Sequence, residues 1–92
     1  MKFKRKRILK LRKEYFPVEN NYRDSKSICT NEIVKEANRL AVQYNVTILE
    51  ISSSSWMIGG INIYTKATKQ DYEGFCCELI SILAPYLAGY TI

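Results

Sequence analysis

Between Ile33 and Ile51 the chain changes hydrophobic period, and that change limits its possible folds. Ile33, Ala37, Leu40, Ala41 and Tyr44 fall at i, i+4, i+7, i+8 and i+11, the stripe of a helix that buries one face. Asn45 tolerates the left-handed conformation that ends many helices. The chain then turns at once to Val46-Thr47-Ile48-Leu49-Glu50-Ile51, rich in the β-branched residues that suit a strand. A helix followed directly by a strand makes the chain a mixed one, neither all-α nor all-β.

Punctuation elsewhere extends this reading. Thr30 is placed to cap the first helix, with Glu32 and Glu36 toward the positive end of its dipole. Ser52 to Ser55 form a polar link into Trp56-Met57-Ile58-Gly59-Gly60-Ile61-Asn62-Ile63-Tyr64-Thr65, which predicts a hairpin, with a bulge expected at the glycine pair. Thr68 and Asp71 are spaced as a capping box ahead of Tyr72, Phe75, Cys76, Leu79, Ile80 and Leu83, a second helical stripe that Pro85 should end. A short last strand over residues 89–92 completes the expectation.

The first thirteen residues hold eight of the chain's fourteen Lys and Arg and no acid, whereas residues 14–92 carry six basic residues against nine acidic, a balance of −3. The net charge of +5 therefore describes a basic segment joined to a mildly acidic body. As a strand, this segment puts Leu9 and Leu11 on one face and Lys4, Lys6, Ile8, Lys10 and Arg12 on the other. As a helix, it aligns Ile8, Leu11 and Tyr15. Either element ends at Phe16, which precedes Pro17 and is pushed toward extended geometry.

The strand reading is favoured and yields strand, helix, strand, strand, helix and short strand, the split βαβ or ferredoxin-like order. A basic helical or disordered arm on an α-β-β-α body is the alternative. The division is residues 1–16 as the basic segment, 17–31 as a loop and 32–92 as the remainder of a single domain of 92 residues in all.

Histidine is absent, which removes the commonest general base and metal ligand. Cys29, Cys76 and Cys77 are an odd set with two members adjacent, a poor disulfide framework and a poor zinc set. No signal peptide is read at the start, so a reducing, cytoplasmic setting is expected. The charge-free stretch from Leu79 to Ile92 contains Pro85 and Gly89 and falls short of the roughly twenty apolar residues of a spanning helix. No cofactor, no metal, no membrane and no catalytic residues are expected.

Function is therefore read from the cations. Lys4, Arg5, Lys6, Arg7, Lys10, Arg12 and Lys13 are the expected phosphate contacts for DNA or RNA, an attraction that needs no base readout. If Ile61 and Ile63 pack under the helices, Tyr64 joins the lysines on the open face, and so does Trp56 unless a bulge shifts its parity; aromatics there stack bases. The rival expectation is a protein-interaction module or homodimer that uses Tyr86, Leu87, Tyr90 and Ile92, apolar residues that a small core has difficulty covering.

Overall fold

A computed structural model describes residues 3–13, 30–53 and 59–92. The order is β1 (Arg5–Lys13), α1 (Thr30–Tyr44), β2 (Thr47–Ser53), β3 (Gly60–Ala67), α2 (Lys69–Leu83), a 3₁₀ turn (Ala84–Tyr86) and β4 (Leu87–Thr91). Within the basic segment, Arg5–Lys13 is thus a strand rather than a helix or an arm, and residues 14–16 lie outside the described residues. The four strands form one antiparallel sheet in the order β2-β3-β1-β4, so β1 and β2 run in the same direction with β3 between them.

Both helices pack on one face of this sheet. Leu9, Leu11, Ile61 and Ile63 lie buried beneath Ile33, Ala37 and Leu40 of α1 and Phe75, Cys76, Leu79 and Leu83 of α2. The period of two makes this possible with few apolar residues: Leu9 and Leu11 alone carry β1 into the core, at 0% and 2% exposure. Val46 and Ala67 seal two ends of the same cluster, with Ile48 and Ile51 packed against it from the edge.

The local signals mostly act where the sequence puts them. Asn45 takes φ 60° after α1. Thr68 is the N-cap of α2, its Oγ accepting from the Asp71 N–H at 3.2 Å. Pro85 falls in the 3₁₀ turn that follows α2, and β4 begins at Leu87, two residues before the expected Gly89. Thr30 is itself the first helical residue, and its Oγ accepts from Lys13 Nζ at 3.4 Å.

The glycine pair corrects one expectation. β1 and β3 pair without interruption from Arg5↔Ala67 to Arg12↔Gly60, so no bulge occurs at Gly60. Gly59 instead holds φ 80° in a turn just before β3, with its carbonyl accepting from the Lys13 N–H at 2.9 Å. The register shifts lie elsewhere, between Ile48 and Glu50 of β2 and between Arg12 and Lys13 of β1 against β4. The former leaves Leu49 as an extra residue, 48% exposed, and lets Ile48 and Ile51, three positions apart, both pack against the core.

Candidate nucleic-acid interface

The face of the sheet away from the helices is covered by no described element. Strand alternation sends Lys6, Ile8, Lys10 and Arg12 of β1 there, because Leu9 and Leu11 point the other way. Asn62, Tyr64 and Lys66 of β3 join them, since Ile61, Ile63, Thr65 and Ala67 are buried.

Register fixes their neighbours. Ile8 opposes Tyr64, which in turn opposes Glu50 on β2. Lys6 opposes Lys66, and Thr47 lies on the far side of Lys66. Lys10 lies between Asn62 and Thr91, and Arg12 between Gly60 and Gly89. The half-buried Tyr64 ring therefore stands at the centre, with Lys6, Lys66 and Lys10 one register step away and, among the described residues, a single carboxylate, Glu50, beside it.

Like charges at Lys6 and Lys66 repel across β1 and β3, a cost of a few tenths of a kcal/mol that water or a bound anion relieves. Such a surface can hold phosphates with its cations while Tyr64 offers a ring to a base.

The remaining basic residues are divided by parity. Lys4 lies exposed just before β1. Arg5 and Arg7 share the parity of Leu9 and turn toward the N-terminal end of α2, not toward Tyr64. Arg7 is held there: its Nε donates to the Ala67 carbonyl at 3.3 Å and its guanidinium stands 5.7 Å above the Tyr72 ring. Lys13 reaches Thr30 across the end of the sheet. Trp56 lies outside the described residues.

Two contributors escaped the sequence reading, Lys66 and Glu50. Lys66 shares the parity of Tyr64 and was legible from that alternation. Glu50 was not, because the extra residue Leu49 precedes it and resets its pairing.

The proposed interface residues at the end of the chain also separate. Tyr86 and Leu87 pack half-buried against the core, whereas Tyr90 and Ile92 are 56% and 58% exposed. Among the described residues, no group of three or more His, Cys, Asp or Glu is arranged to hold a metal ion. No described helix is long and apolar enough to cross a membrane.

The chain matches no known protein family, no curated protein and no solved structure. Its fold and surface define a small α+β protein with two helices on one face of an antiparallel sheet and a basic, aromatic-centred opposite face.

Proposed function

We propose that this protein is a non-enzymatic binder of single-stranded nucleic acid with low sequence specificity, and that the sheet face opposite the helices is its binding surface. One observation carries the reading: Lys6, Lys10 and Lys66 stand around Tyr64, with Arg12 further along β1, on a face that neither helix covers. Phosphates meet the cations and a base stacks on the ring. A strand order of β2-β3-β1-β4, with β1 and β2 parallel around β3, supports placing the chain among split βαβ, ferredoxin-like arrangements, in which one sheet face stays open. Cytoplasmic residence is part of this reading, supported by Cys76 and Cys77 being free thiols.

Titration with single-stranded DNA and RNA oligonucleotides over a range of salt tests it. Four phosphate contacts give a log–log salt slope of about −3 for a single strand. Absence of binding at about 50 mM salt rejects the reading.

A second reading is favoured by the exposure of Tyr90 and Ile92 at one edge of the sheet: a protein–protein contact, in its simplest form a homodimer. A monomeric mass at high protein concentration eliminates the homodimer.

A further inference from the structure

β1 is longer than the strand beside it. It pairs with β3 from Arg5 onward, but β4 meets it only from Lys10 to Lys13. On that side the stretch from Arg5 to Ile8 opposes no described strand. Its vacant groups follow from alternation. The Lys13 N–H donates to Gly59 on the β3 side, and the Arg7 carbonyl accepts from Thr65 Oγ at 3.0 Å on the same side. Odd-numbered residues of β1 therefore address β3, which leaves the N–H and C=O of both Lys6 and Ile8 facing an edge that no described strand pairs.

Beside this edge lies an open groove. One part, about 610 Å³, is formed by Phe3, Arg5, Arg7, Thr68, Lys69 and Glu73 with Gln70. It continues through Arg7, Lys69 and Glu73 into a part of about 320 Å³ that reaches Ile8, Tyr72 and Ile92. The groove follows the line that β4 would take if it extended along β1.

We propose that this slot receives an extended acidic segment of a partner protein, which adds to β1 as a further strand in line with β4. Backbone pairing with Lys6 and Ile8 supplies the hold, and carboxylates at alternate positions of the segment meet Arg5, Arg7 and Lys69 in the groove. Phe3, 64% exposed, and Ile92 give apolar contact at its two ends.

Charge and hydrogen bonding select this occupant. A second copy pairing its own β1 here brings Arg5, Lys6 and Arg7 against the same three cations. A phosphate chain accepts from the N–H groups but offers nothing to the carbonyls of Lys6 and Ile8. An extended peptide satisfies both. The proposal concerns the edge of the sheet, not its open face, so it stands or falls independently of nucleic-acid binding.

The experiment is fluorescence anisotropy of the whole protein with a labelled peptide Thr-Glu-Val-Glu-Val-Glu-Thr. Its comparators are the same peptide N-methylated at alternate amides, and Thr-Lys-Val-Lys-Val-Lys-Thr. The acidic peptide is expected to bind, with about tenfold or greater loss on N-methylation, since that removes strand hydrogen bonds at unchanged charge. The lysine peptide is expected not to bind.

Ile8→Pro removes a donor from the vacant edge without touching the bonds to β3. It is expected to weaken the acidic peptide about tenfold, while Ile8→Ala changes it less than about threefold. If Ile8→Pro fails to fold, the N-methyl comparison on the unaltered protein decides alone. No binding of the acidic peptide, equal binding of its N-methylated form, or binding of the lysine peptide overturns the proposal.

Discussion

The ring of Tyr44 occupies the space that a side chain at Gly74 would need: a Cβ there would stand 2.8 Å from Tyr44 Cε1 and 2.9 Å from Cδ1. Tyr44 is the last residue of α1 and Gly74 lies in the second turn of α2, so the absent side chain lets the two helices close. The Tyr44 hydroxyl then donates to Glu78 Oε1 at 2.9 Å, one turn further along α2.

Gly74→Ala sets two effects against each other. Helix propensity favours alanine by about 1 kcal/mol, whereas overpacking against a ring that is held at its hydroxyl costs about 1–3 kcal/mol. A net loss of stability is expected by denaturant melt. In a Tyr44→Ala background the same change should stabilise, and a double-mutant cycle lacking that reversal would show that the contact does not set the helix spacing.

Leu9 and Leu11 are the whole apolar contribution of β1 to the core. Leu9→Ala and Leu11→Ala are each expected to cost about 2–5 kcal/mol, far more than any lysine substitution on the other face of the same strand. Thermal melts of the two single variants, with Lys10→Ala as the reference, give the comparison. A silent Leu9→Ala is incompatible with the sheet.

Binding to single strands should depend on the Tyr64 ring and not on its hydroxyl. Stacking on an aromatic is worth about 1–3 kcal/mol per base, so Tyr64→Phe retains affinity while Tyr64→Ala loses it several-fold or more. Lys10→Ala and Lys66→Ala each reduce the salt slope by about 0.7, whereas Arg5→Ala, on the other side of β1, leaves the slope nearly unchanged. Equal effects at all three cations point to diffuse attraction rather than to a face.

These expectations differ in how far the sequence alone supports them, and the difference is physical. Parity is a local property, so the burial of Leu9 and Leu11 and the exposure of Lys6 and Lys10 could be read from β1 by itself. The same parity separates Arg5 and Arg7 from Lys6, but grouping the cations by density hides it. Register is a property of two strands at once. That Glu50 faces Tyr64 depends on the extra residue at Leu49, and no spacing within β2 announces it. Gly59 and Gly60 are ambiguous for a related reason: a glycine pair serves equally at a turn with positive φ or at a bulge, and only pairing with β1 decides.

Tyr72 is 5% exposed, and among the described residues its buried hydroxyl meets no partner at hydrogen-bonding geometry. Desolvation pushes its phenol well above the ordinary range, with the neighbouring Cys76 thiol as the next contributor. Tyr72→Phe keeps the ring under Arg7 and removes only the unsatisfied group, whose burial costs about 1–3 kcal/mol. The melting temperature is expected to hold or rise. A fall of several degrees would show that the hydroxyl makes a stabilising contact.

Alkaline pH should loosen the protein through the same region. Burial pushes the Cys76 thiol from 9.0 up to about 11, and the Tyr44 phenol is raised by its hydrogen bond to Glu78 and by desolvation. Each group holds its proton more tightly in the folded state than in the unfolded one, so between the two pKa values the folded state binds more protons and stability falls as pH rises. For Cys76 the contribution is complete below pH 9.0 and is lost as pH passes through about 11. Denaturant midpoints from pH 8 to 11 are expected to decline, and Cys76→Ala should flatten part of that decline although it lowers stability at neutral pH. Thiol labelling provides an independent check in a Cys29→Ser background: exposed Cys77 reacts promptly in the folded protein, and buried Cys76 only on unfolding. Rapid modification of both thiols at neutral pH would remove Cys76 from the core and cancel the predicted alkaline slope.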